Sequence, residues 1–352
     1  MAVTVVRTYG YDPSGRAARC IPLPLSLKGV RIVVIGGSGH IGTFLIPRLV
    51  RAGHDVVSLS RGQRSTYLDD PTWQDVRQVA ADRTVEDREG TFPNRVADLR
   101  PDVVIDLICF TLDSAIALVE RLRGGTGHLL HCGSIWRAGP SQKFPMTEDD
   151  APPPFGEYGI AKAAIAEMLR EETRSGGLVT TSLHPGHIVG PGWHPIGPLG
   201  NLDPAVWHKL SAGEPIDVPG IGAEFMHHVH ADDVAQAFQA AVDHRDAAAG
   251  EDFSVVAPSA LNVRGYAQIA ASWFGQTAEL RPVSWDEFRA ATDGEVAQTS
   301  WEHLVRNHYF SIDKGRALIG YAPLYEPDEA VLESVRWLID HGELDLVNPL
   351  AV

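Results

Sequence analysis

The sequence predicts an α/β protein with a doubly wound parallel sheet of the Rossmann type and a smaller C-terminal α+β lobe. Short runs of Val, Ile and Leu alternate with helical patterns, and a cluster of glycines separates the first run from the first helix. Continuous apolar runs are typical of strands buried on both faces, and their alternation with helices indicates βαβ units. The predicted strands cover residues 32–35, 56–59, 76–80, 103–107, 129–132, 179–183 and 253–256.

The helical patterns and the Gly/Pro-rich stretches define the expected domains. Helices are predicted over residues 41–52, 112–123 and 158–174, and the pattern changes where "HPGHIVGPGWHPIGPLG" begins at His184. Segments rich in Gly and Pro favour turns and loops over long regular elements. We expect an N-terminal extension over residues 1–28, a Rossmann domain over 29–184 to which 228–257 return, and a lobe over 185–227 and 258–352.

Charge and composition argue against several classes of function. The 352 residues include 30 Lys and Arg against 45 Asp and Glu, a net charge of −15, which repels nucleic acid and anionic membranes. Cys20, Cys109 and Cys132 lack the spacing of a disulfide framework or a zinc site. No segment approaches the roughly 18 apolar residues of a membrane span, and the N-terminus does not read as a signal peptide. The expectation is a cytoplasmic protein that binds neither nucleic acid nor membranes.

The glycine cluster fits a phosphate-binding turn. Gly36, Gly39 and Gly42 are spaced GxxGxxG, and Gly37 begins an overlapping GxGxxG, between a predicted strand and a predicted helix. A side chain there would keep a pyrophosphate from the backbone N–H groups, and the helix N-terminus offers the anion unpaired donors. The sequence therefore predicts a dinucleotide site, the alternative being a glycine-rich loop without a ligand. The predicted pyrophosphate contacts are Gly36, Gly37, Ser38, Gly39, His40, Ile41 and Gly42.

The residues after the second and third strands indicate which dinucleotide is bound. NAD-binding Rossmann folds carry an acid at the end of strand two, where this chain has Ser60 and Arg61, with Arg64 close behind. Guanidinium groups pair well with phosphate oxygens, so NADP is favoured over NAD, unless these arginines are solvated loop residues. After strand three, Asp82 and Arg83 are placed at the adenine, although a plain turn carboxylate is the alternative for Asp82.

A tyrosine and a lysine four residues apart form the predicted catalytic pair. Tyr158 and Lys162 share one face of a helix, so the ammonium can favour the phenolate and lower the pKa of the tyrosine. Tyr158 would then exchange a proton with a substrate hydroxyl while hydride moves to or from nicotinamide. Ser134 follows a strand at the crevice and can orient the reacting oxygen, the alternative being a capping serine.

In these motifs the sequence resembles the extended short-chain dehydrogenase/reductases, and among them the NAD-dependent epimerase/dehydratase family. The segment "HPGHIVGPG" (184–192) is similar to the family's RPxxVYGPG, and "HHVHADDVAQAF" (227–238) is similar to its HVxDVA. The resemblance covers residues from about 30 to about 260 in consistent order.

The resemblance implies roles for residues of this chain. Tyr158 would be the acid/base with Ser134 as its partner, Lys162 would also bind the nicotinamide ribose, and the substrate would lie between the Rossmann domain and the lobe. The segment bordering the nicotinamide ring would contribute Pro185, His187 and Ile188. Homodimerisation is a further implication, as is a small-molecule substrate, in many relatives a nucleotide sugar.

The sequence also departs from the family. After strand four the family has small residues, whereas this chain has "DLICF" (106–110), so that Leu107 would alter the cofactor contact and Cys109 the substrate contact. Dehydratases carry an Asp–Glu pair directly after the active-site hydroxyl residue. This chain has Ile135 and Trp136 there, which argues against dehydration. Trp136 and Trp193 are candidate substrate contacts, with ordinary packing as the alternative.

Three functions stay open. A reductase or dehydrogenase, in which the cofactor exchanges at each turnover, is slightly favoured over an epimerase of a sugar or nucleotide sugar, in which it stays bound. A non-catalytic dinucleotide sensor would need none of Ser134, Tyr158 and Lys162, and an RNA-binding role is disfavoured by the net charge. No metal site is expected: we interpret the stretch "HHVHADD" (227–233) as a connecting segment with an N-capping Asp.

Overall fold

The computed structural model describes residues 29–63 and 66–352. The expected N-terminal extension and the predicted contact Arg64 therefore lie outside the described residues.

The centre of the molecule is a parallel sheet of seven strands, as the sequence predicts. The strands of the described residues are β1 Arg31–Ile35, β2 Asp55–Ser60, β3 Arg77–Ala80, β4 Val103–Asp106, β5 His128–Cys132, β6 Thr180–Pro185, β7 His187–Val189, β8 Ile216–Pro219, β9 Phe225–Met226, β10 His228–His230, β11 Asp252–Val255, β12 Leu261–Asn262 and β13 Leu280–Val283. Seven of them form the central sheet in the order β11-β6-β5-β4-β1-β2-β3, which reverses between β1 and β4. All seven predicted strands lie in this sheet, so the Rossmann-type fold class is confirmed.

Helices cover both faces of the sheet. Those before the lobe are α1 His40–Arg51, α2 Arg83–Arg88, α3 Phe92–Asp98, α4 Leu112–Leu122 and α5 Glu157–Arg174. Those after it begins are α6 Ala205–Ala212, α7 Ala231–Asp243, α8 Arg245–Ala248, α9 Val263–Ser272, α10 Trp285–Ala291, α11 Gly294–Arg306, α12 Asp313–Ile319 and α13 Pro327–Asp340, with 3₁₀ turns at Pro71–Asp75 and Ile135–Arg137. Among the described residues, no helix has both the length and the apolar composition that a membrane span requires.

The alternation of side chains along β1 divides the core into two layers. Successive strand residues point to opposite faces, so Ile32 and Val34 pack with α1 and α7, while Val33 and Ile35 pack with α3, α4 and α5. All four residues are at most 1% exposed. Burial on both sides explains why the strands read as unbroken apolar runs.

A further apolar cluster lies in the C-terminal part of the chain. It is built around Trp207 of α6, Tyr266 of α9 and Val335 of α13, beside the short pairs β8–β13 and β9–β12. The chain between β9 and β12 lies outside this cluster. It supplies α7 to one face of the central sheet and β11 to the edge of that sheet. The carboxyl ends of β1, β4, β5 and β6 lie at the crevice where ligands of doubly wound sheets bind.

Candidate active site

The glycine turn connects β1 to α1 at the crevice. Gly36 has φ +85°, and Gly39 precedes α1 with extended backbone and no side chain to cap the helix. A Cβ on Gly42 would lie 2.0 Å from the Gly37 carbonyl oxygen, so glycine is needed here for the helix to pack on the loop. A Cβ on Gly39 would meet only the Gly36 oxygen, at 3.2 Å. The turn thus leaves helix N-terminal donors open to an anion.

A cavity of about 580 Å³ extends from this turn across the strand ends. The predicted residues that line it are Gly36, Ser38, Gly39, His40, Ile41, Ser60, Arg61, Asp82, Arg83, Leu107, Ser134, Tyr158, Lys162, Pro185, Ile188 and Trp193. Its size and elongated lining suit a bound dinucleotide. Gly37 and Gly42 pack inside the turn instead, and Cys109, Trp136 and His187 lie outside the lining.

Further lining residues carry no sequence motif that would single them out. They are Ile35, Leu59, Gly62, Gln63, Ala81, Thr84, Phe92, Cys132 and Gly133, joined by Ile108 and Phe110 from the unusual "DLICF" segment. Several of them end or follow a strand, so the rule that ligands bind beyond the carboxyl ends of strands could have found them. Thr84 and Phe92 come from helices, and no local signal marks them.

The charged residues at the β2–β3 end of the cavity differ in whether another group of the protein pairs with them. Ser60 and Arg61 line the cavity, and Arg61 makes no ion pair within the described residues. Asp82 caps α2 by accepting from the Val85 N–H at 3.2 Å, which is the turn role left open by the sequence. The buried Arg83 guanidinium lies 2.5 Å from Asp106 and 5.1 Å from the Phe92 ring centre. Its charge is therefore compensated by protein.

The three predicted catalytic residues converge at the other end of the cavity. Ser134 follows β5, and its hydroxyl accepts from the Trp136 N–H at 3.1 Å, so it also caps the turn. Tyr158 lies in the first turn of α5, and Lys162 follows one turn later. The Lys162 ammonium donates to the carbonyl oxygens of Cys109 at 2.8 Å and Cys132 at 2.7 Å.

The electrostatics of this group differ from the expectation that Lys162 lowers the pKa of Tyr158. Burial raises the pKa of the Tyr158 phenol to about 12, and the hydrogen bond with Ser134 opposes that shift only in part. Burial also lowers the pKa of Lys162. The pKa of Tyr158 is thus raised rather than lowered, and two carbonyl oxygens hold the ammonium. Its Nζ lies 5.7 Å from the centre of the tyrosine ring, and the phenol stays protonated at neutral pH.

His187 does not face the cavity, contrary to its predicted cofactor contact. Its ring packs 5.3 Å from that of His228 and 4.9 Å from that of His303, centre to centre. Both ring nitrogens are buried without a hydrogen-bond partner in the described part of the chain. Side chains alternate along β7, so that Ile188 lines the cavity while His187 points into the lobe.

The predicted substrate contacts are dispersed. The Trp193 indole stacks on His40 at 4.8 Å and 3°, which places it beside the glycine turn. Trp136 packs edge-on to Tyr158 at 6.0 Å and against the Arg306 guanidinium at 3.7 Å. Cys109 is 1% exposed, so only its carbonyl reaches the site.

The histidines of "HHVHADD" have partners of their own. His227 lies 2.9 Å from the Ala257 oxygen, and His228 lies 3.0 Å from the Ile196 oxygen. The Nδ1 of His230 accepts from the Asp232 N–H at 3.0 Å. Across residues 29–63 and 66–352, no three His, Cys, Asp or Glu side chains are grouped so that they could hold a metal ion.

The strand, turn and helix that carry this site coincide with a known sequence profile. The profile of the NAD dependent epimerase/dehydratase family matches residues 32–256. The chain belongs to this family. It is therefore an enzyme of the oxidoreductase and epimerase class, in a family that uses NAD-type cofactors and small-molecule substrates.

Relatives within this family differ in activity. The chain is 34% identical over 210 residues to 2′-dehydrokanamycin reductase of Streptomyces kanamyceticus, an alignment covering 59% of this chain and 56% of the reductase. It is 23% identical to the chloroplast stem-loop binding protein of 41 kDa b of Arabidopsis thaliana, over 86% of this chain and 78% of that protein. The chain thus spans little more than half the length of the reductase.

Solved structures of epimerases have the same fold. Epimerase Mth375 from Methanothermobacter thermautotrophicus superimposes with a TM-score of 0.70 at 21% identity, over 90% of this chain and 94% of that one.

Two glycine substitutions should separate the fold from the cofactor site. Gly42→Ala would force its Cβ against the Gly37 carbonyl, and we expect a loss of about 1–3 kcal/mol in the free energy of unfolding. Gly39→Ala is expected to leave that free energy nearly unchanged but to weaken cofactor binding, because its methyl would occupy space beside the pyrophosphate. Denaturant unfolding and cofactor titration of both variants measure the two effects. Equal loss of stability in both would contradict the prediction.

Proposed function

We propose that this protein is an NADP(H)-dependent reductase of a carbonyl group on a sugar-like small molecule, with Tyr158 as proton donor. The observation that carries the proposal is the lining of one cavity by Ser60 and Arg61 at one end and by Ser134, Tyr158 and Lys162 at the other. A dinucleotide in this cavity would have its adenosine near the first group and its nicotinamide near the second.

The residues after β2 support NADP over NAD. A carboxylate at that position accepts hydrogen bonds from the ribose 2′-hydroxyl of NAD and repels a 2′-phosphate. This chain offers the Ser60 hydroxyl and the Arg61 guanidinium, both of which can donate to phosphate oxygens. Arg83 is nearby but is paired with Asp106 and Asp87, so among the described residues the phosphate would depend on Ser60 and Arg61.

The catalytic end supports proton donation to a carbonyl oxygen. A bound nicotinamide would supply the hydride. The Tyr158 phenol, whose pKa burial raises further above neutral pH, would give its proton to the oxygen that becomes a hydroxyl. Ser134 would donate a hydrogen bond to the same oxygen. The Lys162 ammonium donates to two carbonyl oxygens at the strand ends and thereby holds α5 against the sheet. Its positive charge would lie on the same side of the site as Tyr158.

The direction of the first proton transfer distinguishes a reductase from an epimerase. A reductase needs an acid at the start of the reaction, whereas oxidation of a hydroxyl needs a base. An epimerase with retained cofactor must begin by oxidation, so it requires a phenolate at that moment. The relative that is 34% identical is a reductase, which adds support. A homodimer in the cytoplasm is part of the same proposal.

The nucleotide released by the purified protein tests the choice between reductase and epimerase. We expect a largely empty site that binds NADPH more tightly than NADH, because a reductase exchanges its cofactor at each turnover. Denaturation followed by mass spectrometry identifies any retained nucleotide. Near-stoichiometric NAD would contradict both the NADP preference and the exchange of cofactor, and would favour the epimerase. Tight cofactor binding without turnover of any carbonyl would favour a sensor.

Tyr158→Phe should abolish most of the turnover. Removing the proton donor is expected to lower kcat by about 10²–10⁴-fold while the dissociation constant for NADPH stays nearly unchanged. Tyr309→Phe is the matched control, since Tyr309 packs against Phe225 and His227 outside the cavity lining. A variant with wild-type kcat would rule out Tyr158 as the acid.

Arg61→Ala should weaken NADPH and spare NADH. A charge-assisted hydrogen bond contributes about 1.5–3 kcal/mol, which corresponds to a loss in NADPH affinity of about 10–100-fold. Arg77→Ala, at the exposed opposite end of β3, controls for the loss of a surface cation. Isothermal titration with both cofactors measures the effect, and an equal loss for NADPH and NADH would show that Arg61 does not contact the 2′-phosphate.

A further inference from the structure

A buried histidine and aspartate lie directly behind the turn that carries Ser134. His184, on β6, places its Nδ1 3.3 Å from the Ser134 backbone nitrogen and its Nε2 3.1 Å from a carboxylate oxygen of Asp252 on β11. β6 lies between β5 and β11 in the sheet, so the ring links the candidate catalytic strand to the sheet edge. His184 also occupies the position at which the similar family segment has arginine.

The hydrogen bonds allow only one protonation state of the ring. A backbone N–H can only donate, so the Nδ1 of His184 must be unprotonated to accept from Ser134. The neutral ring then carries its hydrogen on Nε2, where it donates to Asp252. Arg170 donates to the other oxygen of the same carboxylate, which keeps Asp252 an acceptor. The aspartate thus selects the tautomer that the serine backbone requires.

Burial and charge keep the ring in this state. His184 is 1% exposed and Asp252 is 5% exposed. Burial lowers the pKa of His184 to about 4, the charges of Arg137 and Lys162 add to the effect, and the Asp252 hydrogen bond opposes it. Burial alone would raise the pKa of Asp252, but His184, Arg137 and Arg170 outweigh it and lower the pKa. At neutral pH the pair is therefore a neutral imidazole against an ionised carboxylate.

The turn and the ring are in direct contact. A Cβ on Gly133 would lie 2.1 Å from the His184 Nδ1, so a glycine is required before Ser134 for the backbone to reach the ring. The Gly133 N–H also donates to the Leu183 oxygen at 2.7 Å. Two consecutive N–H groups of the turn are thus fixed to β6, one by its main chain and one by its histidine.

We propose that His184, held in one tautomer by Asp252, is a positioning residue that fixes the backbone of Ser134 and thereby the direction of the Ser134 hydroxyl in the active site. The proposal rests on the proposed catalytic role of Ser134. It assigns a function to a buried pair that lies outside the cavity lining, directly behind Gly133 and Ser134.

Two substitutions at His184 separate its two hydrogen bonds. The side-chain oxygen of His184→Asn can take the place of Nδ1 and still accept from Ser134, whereas His184→Gln places its amide near Nε2 and reaches Asp252 instead. We expect His184→Gln to lower kcat by about 10–100-fold, with NADPH affinity and KM within about twofold of wild type, and His184→Asn to retain most of kcat. Equal kcat losses in the two variants would overturn the proposal.

A double-mutant cycle shows whether the effect passes through Ser134. In a Ser134→Ala background, His184→Gln should change kcat by less than about twofold, because the hydroxyl that it positions is gone. The same fold loss in both backgrounds would mean that His184 acts elsewhere, and the positioning role would be wrong.

A measurement on the wild-type protein does not depend on turnover or on the folding of variants. In protein labelled with ¹⁵N-histidine, the His184 ring should show a protonated Nε2 and an unprotonated Nδ1 through about pH 5 to 8, with the signal assigned by its loss in His184→Asn. Protonation at Nδ1 would overturn the proposal even if the enzyme is active. With the expected tautomer and no turnover of any carbonyl, the proposed function would fail while the positioning contact would stand.

Discussion

The ammonium of Lys162 is the interaction on which the geometry of the site depends. Lys162 is 1% exposed, and an ammonium group buried without partners would be very costly in free energy. Two of its three N–H donors are taken by the carbonyl oxygens of Cys109 and Cys132, which follow or end β4 and β5. α5 can keep this charge satisfied only in one rotation against the strand ends. Tyr158, one turn earlier, is placed by the same contact, and Ser134 lies two residues beyond Cys132.

The fold was predictable because its strands are buried on both faces. Residues such as Val33 and Val34 face opposite layers and are both apolar, so the sequence shows unbroken runs rather than alternation. The motif residues at the site were predictable for a related reason: Gly42, Tyr158 and Lys162 are each restricted by a close approach or a fixed spacing. Such restrictions fix the residue type or spacing in the sequence, so they can be recognised without knowing which segments are in contact in the folded protein.

Other parts of the site depend on contacts between distant segments, which local patterns do not reveal. His187 was assigned to the cofactor because the family resemblance places its segment beside the nicotinamide ring. Its pairing with His228 in a short parallel ladder turns the ring into the lobe instead. Asp82 could bind a base or cap a helix, and only the backbone of α2 decides for the cap. Trp193, a predicted substrate contact, lines the cavity and stacks on His40, which is far away in sequence.

The arrangement of charge around the cavity reconciles an acidic protein with an anionic cofactor. The chain carries a net charge of −15, which repels extended polyanions from its surface. Within the cavity, the Arg83 charge is balanced by Asp106, and the Asp82 carboxylate is directed to its own helix. Beside the N-terminus of α1, Arg61 and Lys162 also line the cavity. Charges in a partly enclosed cavity are screened less by salt than charges on the open surface. A dinucleotide would therefore meet a more positive environment in the cavity than a nucleic acid backbone meets on the acidic surface.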